Sequence, residues 1–395
     1  MAEHINDPFE FSLLPPLSLY VHIPWCVRKC PYCDFNSHQS GNETIPERHY
    51  IDALLRDLEQ DLPSVWGRGI YSIFIGGGTP SLLSPNAIDR LLSGIRALLP
   101  FPGDMEITLE ANPGTTDAQR FAEYHSAGIT RLSIGIQSFT DRLLTGIGRI
   151  HDARQARDAV QTAQHSGIRN INIDLMFGLP QQTPADAIHD IETALSLAPT
   201  HISHYQLTLE PNTLFHAKPP PTPDSDHCWR MQQECAGALS EAGFHHYEIS
   251  AYAQPGHHCR HNLNYWRYGD YLGIGAGAHS KITNARHHTI TRAWKLKHPN
   301  DYLANAHSAQ RIGDSRVITP DDAVLEFMMN ALRLNEGFDV ELFIHHTGLS
   351  IDRLKAALKE ATDKGWIHHH GNRVCPTPQG RLFLNDLLTT FVPDQ

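Results

Sequence analysis

The stretch Tyr20-Val21-His22-Ile23-Pro24-Trp25-Cys26-Val27-Arg28-Lys29-Cys30-Pro31-Tyr32-Cys33 carries three of the chain's seven cysteines within eight residues. It starts inside an apolar run, Leu17 to Ile23, that reads as a strand. The spacing C-x3-C-x2-C puts three thiolates on one short loop, and no fourth Cys or His follows at the interval of a zinc ribbon. A closed tetrahedral zinc site is therefore one ligand short. In a 4Fe-4S cluster three thiolates leave one iron open to an outside ligand, which suits chemistry better than electron storage. Three unrelated buried thiols, or a zinc site completed from afar, are the plainer alternatives.

Outward from this loop, strand and helix signals alternate as far as about Leu209. Apolar runs at 17–23, 70–75, 105–109, 130–136, 171–177 and 201–209 read as strands, with amphipathic stretches near 46–62, 85–99, 117–127, 152–166 and 184–198 between them. That alternation predicts an α/β fold with a parallel sheet. A β/α barrel or partial barrel is preferred to a doubly wound sheet, because the residues with chemical character fall at several strand ends. Residues 218–226, rich in proline and small polar groups, mark a connector. Beyond it the sequence predicts a helix near 227–242, a strand at 245–252 and an aromatic, glycine-rich segment at 261–280. From about 320 it is mostly helical, over 321–333, 339–346, 350–364 and from Pro378, in the manner of a small winged-helix-like, protein-contact module. The expected organisation is a tail at 1–16, a partial barrel at 17–217, a continuation at 218–319 and a C-terminal helical domain at 320–395.

Several short motifs carry chemistry. Gly76-Gly77-Gly78-Thr79-Pro80 follows the second strand, and glycines there let backbone amides approach a carboxylate or amine closely. Glu110, Gln137 and Asp174 each stand at or near the carboxyl end of a different strand, which on a barrel brings them to one mouth. Polar groups inside apolar strands need partners, and a ribose diol suits Gln and Asp. Arg149, after the fourth strand, can clamp a carboxylate with two parallel hydrogen bonds. Each has a blander reading, as a helix cap, a loop contact or a surface arginine.

The cysteine loop resembles that of the radical S-adenosylmethionine (SAM) enzymes, in which the open iron binds the amino and carboxylate groups of SAM. Its Tyr-x-His-Ile-Pro-x-Cys lead-in is similar to that of the oxygen-independent coproporphyrinogen III oxidases and their relatives, the HemW-type haem chaperones. The resemblance implies a radical SAM partial barrel with a HemN-like continuation and C-terminal domain, and a 4Fe-4S cluster on Cys26, Cys30 and Cys33. It implies SAM contacts at Tyr20, Gly77, Gly78, Thr79, Glu110, Gln137, Arg149 and Asp174, with Tyr32 at an aromatic position between the last two cluster cysteines. One departure bears on function: the oxidases carry a fourth cysteine two residues past the third, where this chain has Phe35. Phenylalanine there, and His261-Asn262-Leu263-Asn264-Tyr265-Trp266, are what the chaperones show. On this resemblance the expected function is binding of haem and its transfer to an acceptor haemoprotein. His261 would then be a haem ligand with Tyr265 and Trp266 against the porphyrin, and His258 and Cys259 would be substitute ligands. The alternative is the oxidase itself, working through a 5'-deoxyadenosyl radical. From physics alone the sextet reads as an aromatic core cluster with a hydrogen-bonded histidine.

Composition bounds the rest. A chain of 395 residues with 41% apolar content suits one barrel and an appendage. A formal net charge of -11 argues against nucleic acid as partner. No segment approaches the roughly 20 apolar residues that span a bilayer. Residues 1–16 also lack a basic and apolar leader pattern. Any membrane contact is expected to be peripheral and the location cytoplasmic, in keeping with unpaired, clustered cysteines. The 27 histidines, with runs at His257-His258, His287-His288 and His368-His369-His370, read mostly as solvated surface.

Overall fold

The computed structural model describes residues 9–40, 44–114 and 118–392. Its first half is built from strands that send apolar side chains to one face and polar ones to the other, the period-two pattern of a pleated strand. These are β1 (Leu17–Ile23), β2 (Ile70–Gly77), β3 (Glu106–Ala111), β4 (Arg131–Gln137), β5 (Asn170–Phe177) and β6 (His201–Gln206), and they pair in parallel in that order. Leu19, Ile73 and Ile107 are cross-strand neighbours, as are Leu109, Leu132 and Ile171, and all are buried. On the other face the neighbours are Ser18, Ser72 and Glu106, then Glu110, Ser133 and Asn172.

The apolar face is covered by the crossover helices α1 (Glu47–Asp61), α2 (Pro85–Leu98), α3 (Ala118–Ala127), α4 (Ala153–His165) and α5 (Pro184–Ser196). Their starts are written locally. Ser84 caps α2, and Asp152 with Gln155 and Thr183 with Asp186 form capping boxes for α4 and α5, with Pro85 and Pro184 in the first turn. Residue 117, where the third helix is expected to begin, lies outside the described residues, as do the first eight residues of the tail. Phe9, by contrast, is buried in the C-terminal core.

After α6 (Ser225–Glu241), which packs on α5, the strand expected at 245–252 is two short ones, β7 (His245–His246) and β8 (Ala251–Ala253). Glu248 accepts from the Ser250 amide and hydroxyl and folds the chain back between them, so β8 runs antiparallel to both β6 and β7. A short helix follows, α7 (Arg260–Trp266). The opposite edge is extended by β9 (Asp270–Ile274), parallel to β1, and then by antiparallel β10 (His279–Asn284), β11 (Thr289–Lys295) and β12 (Ile312–Val317). The result is one sheet in the order β12-β11-β10-β9-β1-β2-β3-β4-β5-β6-β8-β7. These added strands escape a hydrophobic-pattern reading because their buried positions include Ser280, Lys281, Thr283 and Lys295. Lys281 pairs with Asp270 at 3.0 Å; Lys295 pairs with Asp57 at 2.5 Å and Asp61 at 2.6 Å, and Arg311 also reaches both of these carboxylates.

The C-terminal unit comprises α8 (Pro320–Ala331), β13 (Phe338–Asp339), α9 (Val340–Thr347), α10 (Lys355–Asp363), the hairpin β14 (Ile367–His370) and β15 (Arg373–Pro376), and two short helices, Pro378–Leu382 and Leu384–Thr389. Its core sets Phe327 edge-on to Phe338 at 5.0 Å and to Phe343 at 5.1 Å, and takes in Tyr268, Ile290 and Ile318 from the sheet region. Among the described residues no helix is long and apolar enough to cross a membrane.

Candidate functional site

The cysteine loop is held at its base. Trp25–Cys26 pairs in parallel with His38–Gln39, and the Ser40 amide donates to Cys26 O at 2.9 Å. A turn from Cys33 N to Cys30 O, 3.1 Å, closes its middle. The loop lies against the end of β2, whose Gly78 and Thr79 amides donate to Ile23 O and Trp25 O, each at 2.7 Å. This contact explains the glycines differently from the sequence reading. A Cβ on Gly77 would stand 2.6 Å from the His22 ring, and one on Gly78 2.5 Å from Trp25 O, so the protein's own chain requires them bare. Gly77 also has φ of +117°, a left-handed conformation that favours glycine.

Cys26, Cys30, Tyr32, Cys33, Gly77, Gly78, Thr79, Glu110, Gln137, Arg149 and Asp174 all line a single cleft of about 130 Å3. Thr79 Oγ1 lies 3.5 Å from Cys26 Sγ, Ser37 Oγ 3.7 Å from Cys33 Sγ and Arg149 Nη1 3.7 Å from Cys30 Sγ. Burial pushes the Cys26 and Cys33 thiols up from their ordinary values. Thiols so placed keep their protons until a metal replaces them. Among the described residues no three Cys, His, Asp or Glu side chains converge on a single metal ion. A cluster makes a different demand, since each thiolate goes to a different iron instead of converging on one ion. The donor set fits it in charge as well: the Arg149 guanidinium beside Cys30 keeps its Nε buried with no hydrogen bond among the described residues, so positive charge is held where thiolate charge would collect.

The opposite wall is polar. Glu110 accepts from the Gly77 amide at 3.0 Å, and burial, followed by the charge of Asp174, pushes its carboxyl up to about 8. Burial also raises Asp174, which accepts from Asn172 at 2.7 Å and Ser133 at 3.3 Å. Gln137 ends β4 with φ of +72°, at a register shift in the β4–β5 pairing, and accepts from the Tyr205 hydroxyl at 2.8 Å. A non-glycine residue held left-handed costs roughly 1–3 kcal/mol and needs surroundings that enforce it. Arg149 Nη2 donates to Asn112 Oδ1 at 2.7 Å and to Gly135 O.

Sequence reasoning missed Asn112, Ser133, Gly135 and Tyr205, which line the same cleft. Ser133 and Gly135 are signalled by the period of two counted back from Gln137 on β4. Asn112 sits two residues past Glu110 in a motif read for its acid alone, and Tyr205 carries no local signal.

The remaining candidates do not share one ligand face. Tyr20 lines an adjoining cavity, together with Tyr265. His261 is buried to 1% exposure, with Nδ1 2.9 Å from Ser72 Oγ and Nε2 3.2 Å from the Tyr265 hydroxyl. Burial lowers its proton affinity to a pKa of about 3, so it is a neutral core histidine. Trp266 lies instead beneath Arg333, 5.0 Å from ring to guanidinium, and its Nε1 is buried with no hydrogen bond among the described residues. His258 stacks on Tyr247 at 4.2 Å, and the buried Cys259 faces Glu106. In this arrangement α7 packs against β2, β1 and β9. Its start is capped by Glu106, which accepts from the Arg260 and His261 amides, each at 3.1 Å.

Residues 20–194 match the Radical SAM superfamily and residues 318–383 the HemN C-terminal domain. The whole fold is similar to that of the Escherichia coli coproporphyrinogen III oxidase HemN, described as a radical SAM enzyme, with a TM-score of 0.81 and 24% identity over 96% of this chain and 90% of that one. Fold and sequence together thus define a radical SAM protein with a HemN-like architecture. Similarity over the full length narrows this further. The heme chaperone HemW of Escherichia coli (strain K12) is 47% identical, covering 96% of this chain and 99% of its own. That of Haemophilus influenzae is 48% identical, covering 97% and 99%, and that of Bacillus subtilis 35%, covering 95% and 99%. The chain belongs to the HemW heme chaperone family.

Proposed function

We propose that this protein binds haem and passes it to an acceptor haemoprotein, holding a 4Fe-4S cluster on Cys26, Cys30 and Cys33 and SAM in the cleft beside them. The observation that carries the reading is the meeting of three thiols, the Gly77–Thr79 turn and three strand-end polar residues in one cleft, in a chain whose full-length relatives are named heme chaperones. A cluster bound there would offer one open iron to the amino-acid end of SAM and a source of single electrons. Glu110, fixed by the Gly77 amide, presents an oxygen to the ammonium of SAM. Asp174 and Gln137, at the ends of β5 and β4, suit the ribose hydroxyls, and Arg149 holds the far wall.

None of the seven cysteines is paired, which supports action in the reducing cytoplasm. Phe35 stands where the oxidases carry a further cysteine, and no observation favours the oxidase reading over the chaperone. The test uses one anaerobically reconstituted preparation, assayed for haem retention on a desalting column and for conversion of coproporphyrinogen III. Haem retained without conversion is the expected result. Robust formation of protoporphyrinogen IX with no haem retained would overturn the reading.

A further inference from the structure

Beside the cluster cleft lies a second cavity of about 360 Å3, within the size range of roughly 300–1,000 Å3 that takes organic ligands. The two share Phe35, Gly77 and Glu110 as a common wall. Much of the second is aromatic: Tyr20, Phe35, Tyr265 and Tyr271 line it, the last two edge to face at 4.6 Å. Phe35 stands at its mouth with 59% of its surface exposed. An exposed phenylalanine over an aromatic cavity is suited to covering a flat apolar ligand.

Three imidazoles line or approach this space, and two are spent. His22 is buried, with Nδ1 3.0 Å from the Tyr20 hydroxyl and Nε2 2.9 Å from Asn36 O. His261 behind Tyr265 is bonded at both nitrogens. His279, at the start of β10, is exposed, and neither ring nitrogen makes a hydrogen bond among the described residues. Its ring is oriented by stacking on Trp294 at 5.8 Å and 25°. The part of the ring turned towards the protein is desolvated, and this, then the charges of Lys297 and Arg292, lowers its proton affinity and favours the neutral form that binds metal. The same Lys297 is exposed and has no ion pair among the described residues, leaving its ammonium available to an anionic substituent on a ligand.

We propose that the second cavity receives a metalloporphyrin, with His279 as the side chain that binds its metal and Lys297 beside a propionate. This rests on the haem-binding reading above and deepens it, moving the ligand from the buried His261 to an imidazole with free nitrogens. His261 then acts as a positioning residue, holding the Tyr265 ring in the cavity wall.

Hemin is titrated anaerobically into the full chain carrying its cluster, and into the H279A, H261A and H287A variants, with the Soret band as readout. His287 is exposed on the turn beyond β10 and serves as control. H279A is expected to shift the Soret band and weaken binding at least about tenfold, the lower end of what disturbing a metal's ligand environment costs. Added imidazole should restore the wild-type spectrum, and iron content and SAM binding should be unchanged. The wild-type spectrum and affinity in H279A, whatever H261A shows, would overturn the assignment and leave haem binding itself standing. No hemin bound by the wild type would overturn both.

Discussion

Glu106 and Glu110 stand four residues apart on the same face of β3, and their surroundings differ completely. Glu106 is consumed by the protein: two amides of α7 and the Cys259 thiol point at it, and Arg131 lies close by. Glu110 has one amide, from Gly77, and a carboxyl neighbour, Asp174, that discourages its charge. One strand thus carries a structural acid below and a poised acid above. A buried polar group marks a ligand site where the fold leaves its bonding incomplete, not merely where it is buried.

The largest expected effect empties the upper layer alone. Anaerobically purified protein should carry about four irons per chain and acid-labile sulfide, as the cluster requires. Cys30→Ala should reduce iron nearly to zero while the melting of the sheet, followed by circular dichroism, stays cooperative. Stoichiometric zinc without sulfide, in a preparation never exposed to air, would sink the cluster assignment.

Next in size is the lower acid. Glu106→Ala leaves the buried Arg260 and His261 amides at the start of α7 without their acceptor, a class of change that costs roughly 1–3 kcal/mol for each group left unsatisfied. Glu110→Ala should cost far less. Urea midpoints of the two variants test this, and equal losses would break the contrast between them.

The upper acids should show themselves in binding. If the proposed SAM site is right, Asp174→Ala should weaken SAM by roughly 1–3 kcal/mol in calorimetry, with iron content unchanged. Wild-type affinity in that variant would remove Asp174 from the site.

A last effect is a slope. The carboxyl of Glu110 is raised from its ordinary value to about 8, so the ligand-free fold holds a proton that the unfolded chain releases near pH 4.5. Its contribution is fully present at acid pH and declines as pH rises towards 8. Asp190, raised to about 7, acts in the same direction, so the diagnostic quantity is the difference between wild type and Glu110→Gln. That variant should lose less stability between pH 5 and pH 8.5, measured by denaturation in the absence of SAM.

The upper layer is more legible in the sequence than the lower, for a physical reason. Three cysteines on one short loop and acids at strand ends stand out against apolar runs, so Cys26, Glu110 and Asp174 are visible one at a time. The parallel strands declare themselves through Leu19, Ile73 and Leu132, which repeat at every second position. The partners of Glu106 lie about 150 residues away on α7, and no local pattern ties them together. For the same reason the His261 sextet shows its composition but not its surroundings, and its histidine is a core residue bonded to Ser72. The β10–β11 hairpin hides because its inward positions are lysines and threonines answered by Asp270 and Asp57.

Asn36 donates from one amide nitrogen to Ala276 O and to Lys297 O, each at 2.9 Å, which joins the cysteine loop to the two bends that flank β10 and β11. A tie of this kind makes the two compartments partners in one thermodynamic cycle. By whatever factor an assembled cluster steadies the loop and tightens a ligand in the neighbouring cavity, that ligand raises the chain's equilibrium affinity for the cluster by the same factor. Cargo and cofactor would then protect each other, and the chain would hold its iron best when it is carrying something.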